Sequence, residues 1–145
     1  FKDRKDIQLV LVGSGPDENT LKKQLPNAKF LGFLTGNKLA RAYSSCDFFV
    51  FPSTTDTFGN VVLEAMASGL PVIVSNKQGP KELVKNSVNG FICNLKGFGK
   101  KINILVKSKK LRKKMGKEAR KYALTRSWNN VFNKLFEDYR KVLED

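Results

Sequence analysis

Histidine is absent from the 145-residue sequence. Without it, Ser-His-Asp and Cys-His catalysis are excluded and the commonest transition-metal ligand is missing. Cysteine is scarce too. Cys46 and Cys93 stand far apart in apolar surroundings, with no CxxC spacing and no histidine to complete a zinc site. Two buried free thiols in a reducing compartment are expected, not a disulfide. No apolar run reaches the roughly 18 residues of a membrane-spanning helix. The segment Phe1-Lys2-Asp3-Arg4-Lys5-Asp6 also lacks the apolar stretch of a secretory signal. The expectation is a soluble, cytoplasmic chain. Its start at Phe1 instead of Met suggests a fragment of something longer.

Acidic residues are also few, 13 against 27 Lys and Arg, for a net charge of +14. The imbalance is local. Residues 1–95 hold 11 basic and 8 acidic side chains, or +3, whereas residues 96–145 hold 16 and 5, or +11. A basic end of this kind suits an anionic membrane surface, nucleic acid or an anionic substrate, and it equally suits a solvated, lysine-rich helical surface. No aromatic residues are interleaved among these lysines as in a single-strand binding platform, so nucleic acid is the weaker expectation.

At this length and with 41% hydrophobic residues the chain can bury one core, and a single domain over residues 1–145 is expected. Short apolar runs bounded by Gly, Pro, Asp or Asn predict strands at Ile7–Val12, Ala28–Leu31, Phe48–Phe51, Pro71–Val74 and Gly90–Cys93. Helices are predicted between them at Asp17–Leu25, Asn37–Ser44, Asn60–Ser68 and Pro80–Lys85. The alternation implies an α/β fold, a Rossmann-like parallel sheet flanked by helices. Past Cys93 the chain turns helical. Leu111, Met115, Ala119 and Tyr122 share one face opposite lysine and arginine. A last helix starts at Ser127, its stripe running from Trp128 through Phe132 and Phe136 to Val142 and calling for a hydrophobic dock.

The densest chemical signal lies between Phe48 and Ser68. An apolar strand leads into the polar loop Pro52-Ser53-Thr54-Thr55-Asp56-Thr57, and Phe58-Gly59-Asn60 opens an apolar helix. Backbone N–H groups near Gly59, Asn60 and Val61 would stand at a helix N-terminus, where an anion such as phosphate fits. Two carboxylates accompany them. Asp56 is either an ordinary helix-cap acid or a ligand group, and Glu64, amid apolar neighbours, is either an internal salt-bridge partner or an acceptor for ligand hydroxyls.

The same unit resembles the E-x7-E region of retaining GT-B enzymes in glycosyltransferase family 4: an acid, Phe-Gly, then Leu-Glu-Ala-Met-Ala-x-Gly-x-Pro-Val. Asp56, Phe58-Gly59, Leu63-Glu64-Ala65-Met66-Ala67, Gly69 and Pro71-Val72 match it. Leu11-Val12-Gly13-Ser14-Gly15-Pro16 is similar to the family's Val-Gly-x-Gly-Pro turn, and Phe30-Leu31-Gly32-Phe33 to its Phe-Leu-Gly strand end. The resemblance covers nearly the whole chain. It implies the C-terminal half of a GT-B fold, with C-terminal helices, binding a nucleotide-diphosphate sugar. Glu64 would take the ribose hydroxyls and Asp56 the transferred sugar. Backbone amides of Thr57, Phe58, Gly59, Asn60 and Val61 would hold the diphosphate and sugar, and Leu34 and Lys38 would meet the base.

Two departures stand out. The first acid is Asp56 where the family has Glu, and the family's cationic clamp and acceptor-binding N-terminal domain would precede residue 1. The chain alone is therefore expected to be inactive. No D-x-D occurs, so no metal and no other cofactor is expected. The alternative is a non-catalytic Rossmann-like module docking on anionic membrane or nucleic acid through its basic C-terminal helices.

Overall fold

The computed structural model describes residues 4–77 and 79–144. The chain divides after Ala42 into two compact units. In the first, β1 (Val10–Leu11) and β2 (Lys29–Phe30) pair in parallel, Val10 opposite Lys29 and Leu11 opposite Phe30, with α1 (Glu18–Gln24) between them. Both strands are shorter than the predicted Ile7–Val12 and Ala28–Leu31. Each has a single partner strand, and no described residue up to Ala42 is buried. The division falls inside α2 (Gly36–Ser44).

The second unit holds β3 (Phe49–Phe51), β4 (Val72–Ser75) and β5 (Gly90–Cys93), a parallel sheet in the order β3-β4-β5. Phe49 faces Val72 across the first pair and Val72 faces Gly90 across the second. Helix α3 (Asn60–Ala67) connects β3 to β4; α4 (Phe98–Lys107), α5 (Lys109–Leu124) and α6 (Trp128–Glu144) follow β5. The central strand is buried at every residue, which is why Val72-Ile73-Val74 reads as an unbroken apolar run. Val72 and Val74 pack with Val62, Ala65 and Met66 of α3 and with Ala119 of α5. On the other face, Ile73 packs with Phe91, Phe98, Leu105 and Met115. One helix, α5, thus serves both halves of the core.

Polar groups close the helix ends. At the end of α3, Gly69 takes φ 81°, its N–H donates to Met66 O and the Leu70 N–H to Ala65 O: a Schellman stop that uses the left-handed conformation glycine adopts freely. Arg120 of α5 donates to Ala67 O at the same end. Arg112 donates to Leu105 O and Val106 O, capping α4, and its other nitrogen pairs with Asp47 at 3.1 Å. Ser108 accepts from Leu111 N at the start of α5.

Two expectations need correction, and a third, the hydrophobic dock for the last helix, is not met among the described residues. The helix predicted over Pro80–Lys85 is a 3₁₀ turn, Gly79–Leu83, because the Lys85 N–H is taken at 2.8 Å by the buried side chain of Asn89. Cys46 and Cys93 form no disulfide, as expected, but are half-buried and not buried, and burial pushes both thiols up. The apolar stripe of α6 is exposed along its described length, Trp128 to 74%, and lacks a dock among the described residues.

The α3–α5 junction is tight. A Cβ on Gly116 would lie 2.2 Å from Gly69 O. An isolated helix would gain about 1 kcal/mol from Gly→Ala, so the sign is diagnostic. Gly116→Ala should instead lower stability by about 1–3 kcal/mol, read from the urea midpoint.

Candidate functional site

The loop from Pro52 to Gly59 leaves the carboxyl end of β3 and turns into α3. Ser53 Oγ accepts from the N–H of Asp56 at 3.3 Å, and Asp56 Oδ1 accepts from the N–H of Phe58 at 3.0 Å. Asp56 therefore forms an Asx turn ahead of the helix and is not its cap. The capping position belongs to Gly59, at φ 87°, whose carbonyl accepts from Val62 N and Leu63 N. A side chain there would be strained, and its Cβ would meet Pro80 Cγ at 3.0 Å. Gly79 presses closer still: a Cβ on it would lie 1.8 Å from Thr57 O. The Gly79-Pro80 turn after β4 thus supports the loop from below, a role no local sequence pattern reveals.

At the helix start, the N–H groups of Gly59, Asn60 and Val61 have no acceptor among the described residues. They are the unsatisfied first-turn donors at the positive end of a helix. Glu64 is exposed, contrary to the embedded charge its neighbours suggest. Val62, Ala65 and Met66 at i, i+3 and i+4 form the buried face, leaving Glu64 with Asn60 on the opposite side. Glu64 also has no salt-bridge partner among the described residues. Its contact is Tyr43 of α2, whose hydroxyl lies 3.1 Å from Glu64 Oε2 and 3.3 Å from Val61 O. Tyr43 sits edge-on to Phe49, ring centroids 5.7 Å apart. Burial, then the charge of Glu64 and the hydrogen bond to it, push the Tyr43 hydroxyl well above its ordinary range, so it remains a donor. Tyr43 is the contributor that the sequence motif did not announce.

Leu34 is half-buried and Lys38 exposed, both in the N-terminal unit. In that unit the Gly13-Ser14-Gly15-Pro16 turn lines a cleft of about 240 Å³ with Leu11, Leu21 and Phe30. In the second unit a cleft of about 380 Å³ opens at the carboxyl ends of β3, β4 and β5, between Thr54, Ser75–Lys77 and Asn94–Lys96. Asp56, Glu64 and Thr57–Val61 line neither cleft; Thr57, Phe58, Asn60 and Glu64 are exposed, Asp56 and Val61 half-buried, and Gly59 buried. Among the described residues, no three His, Cys, Asp or Glu side chains gather around one point, and no helix is long and apolar enough to cross a membrane.

Residues 1–122 match the family described as Glycosyl transferases group 1. The chain belongs to that family. A GDP-mannose-dependent alpha-mannosyltransferase of Mycolicibacterium smegmatis is 41% identical over 141 residues, 97% of this chain and 38% of the relative. The sulfoquinovosyl transferase SQD2 of Arabidopsis thaliana is 33% identical over 138 residues, 90% of this chain and 27% of its own. Among solved structures, Anabaena Alr3699/HepE in complex with UDP-glucose matches with a TM-score of 0.80 at 25% identity, over 96% of this chain and 42% of that one. The group 1 chain thus spans well under half the length of these relatives. Its fold is the one expected, Rossmann-like parallel sheets flanked by helices with C-terminal helices, as in GT-B glycosyltransferases.

The raised Tyr43 hydroxyl has a consequence for alkaline stability. The folded protein keeps this proton while the unfolded chain loses it above about pH 10, so stability is complete below that pH and falls above it. Tyr43→Phe should remove this part of the loss, seen by comparing urea midpoints of both proteins at about pH 8 and about pH 11.

Proposed function

We propose that this chain is the donor-binding part of a family 4 glycosyltransferase of GT-B type that moves a hexosyl group from a nucleotide-diphosphate sugar to an acceptor with retention of configuration. The observation that carries the reading is the start of α3: three N–H groups, at Gly59, Asn60 and Val61, with no acceptor among the described residues, and the Glu64 carboxylate about one turn below them on Asn60's face. An anion at the helix start and a hydroxyl pair against the carboxylate are what a nucleoside diphosphate offers. Relatives point the same way, one named for GDP-mannose and one solved with UDP-glucose.

In this reading Glu64, steadied by Tyr43, accepts from the ribose hydroxyls. Asp56 has one oxygen engaged with Phe58 N–H, and its other oxygen faces the hydroxyls of the transferred sugar. Thr57 and Phe58 complete the loop around the diphosphate, and Leu34 and Lys38 meet the base. No side chain acts as nucleophile. The rate comes from holding the anomeric carbon against the acceptor and from stabilising the leaving diphosphate through the helix start and basic side chains, without a bound cation. In this reading the protein works in a reducing, cytoplasmic setting, with which the absence of a disulfide between Cys46 and Cys93 agrees.

The donor is found by thermal shift of the complete protein against UDP-, GDP- and ADP-sugars. With that donor, Glu64→Ala should weaken binding by about 1.5–3 kcal/mol in calorimetry, the range for a hydrogen bond to a charged group. Unchanged affinity in a folded variant refutes the ribose role. Asp56→Asn should reduce turnover more than it reduces binding of the free nucleotide; equal losses would remove Asp56 from the sugar.

A further inference from the structure

We propose that the outer face of α5 docks on an anionic lipid surface. The helix carries eight Lys and Arg against a single acid, Glu118. Two of the basic side chains have structural roles already described: Arg112 pairs with Asp47 and caps α4, and Arg120 caps α3. The others include Lys110, Lys113, Lys114, Lys117 and Lys121. At 100° per residue these five fall within about 100° of one another, opposite Met115 and Ala119. Met115 and Ala119 are buried, whereas all five lysines are exposed and none joins an ion pair among the described residues.

Helix stability does not account for this arrangement. The pairs 110–113, 110–114, 113–117, 114–117 and 117–121 set like charges at i, i+3 or i, i+4 spacing, each of which destabilises a helix. Lys110 and Lys113 also lie toward the positive end of the helix dipole. A plane of anionic headgroups relieves both effects at once. The stripe is straight, about 16 Å long from Lys110 to Lys121, and held rigidly to the core by the buried face opposite. It contains lysine only. Point charges on one flat face suffice for a headgroup plane, whereas bases are read by planar guanidinium forks and aromatic stacking, which this stripe lacks.

The inference does not depend on donor binding, and the two fail separately. Co-sedimentation of the complete protein should show strong, salt-sensitive binding to vesicles of phosphatidylcholine mixed with phosphatidylglycerol, and little to phosphatidylcholine alone. Replacing Lys113, Lys114 and Lys117 together by Gln should lower that binding about a hundredfold. Replacing the same three by Arg should preserve it, with the thermal shift by the donor unchanged in both variants. Equal binding to uncharged vesicles, or full binding by the Gln variant, overturns the proposal. So does tighter binding to single-stranded RNA or duplex DNA than to the anionic vesicles at the same salt, which would assign the stripe to nucleic acid instead.

Discussion

The burial of β4 on both faces is the constraint on which the second unit depends. A parallel strand between two others must be covered above and below, and Val72, Ile73 and Val74 divide their side chains between two clusters. Helix α5 closes both, through Ala119 on one side and Met115 on the other. That double duty forces α5 close to α3, so close that Gly69 and Gly116 meet backbone to backbone. The capping arginines are part of the same arrangement: Arg112 and Arg120 leave α5 to satisfy the carbonyl ends of the helices it packs beside.

From this packing the candidate site inherits its geometry. With Val62, Ala65 and Met66 committed to the core, the helix can turn only one face outward, and that face carries Asn60 and Glu64. The loop ahead of it is held by Asp56 from within and by Gly79 and Pro80 from beneath. Three backbone donors with no acceptor among the described residues and an exposed carboxylate thereby stand together at the helix start, and Tyr43 supplies a hydroxyl that burial keeps protonated. Such an arrangement would act by positioning, as the proposed glycosyl transfer without a protein nucleophile requires.

Charge is distributed by a separate logic. Of the +11 carried by residues 96–145, +7 sits on α5, because that helix needs only a narrow buried face, leaving the remaining positions open to any soluble residue. That so many of them are lysine, in mutually repelling register, is the feature a solvated surface does not require.

Much of the fold was legible beforehand, for identifiable reasons. The apolar runs at Phe48–Phe51, Pro71–Val74 and Gly90–Cys93 end in turn residues, and the helix beginning at Asn60 follows a glycine; the observed elements agree within a residue or so. The family motif around Asp56 and Glu64 was equally plain. Less was legible where stability comes from partners distant in sequence. Strands with one neighbour and no fully buried residue shrank to two residues, and a helix expected at Pro80 became a 3₁₀ turn once Asn89 took the Lys85 N–H. Glu64 looked embedded among apolar neighbours because adjacency in a chain is not adjacency on a helix face. The sequence by itself determined the order of strands and helices and the motif, since both rest on local periodicity and residue type. Only the tertiary structure decided that Glu64 faces outward, that Tyr43 from a helix 21 positions earlier is its partner, and that Gly79 carries the loop, because each of these follows from how separate segments pack.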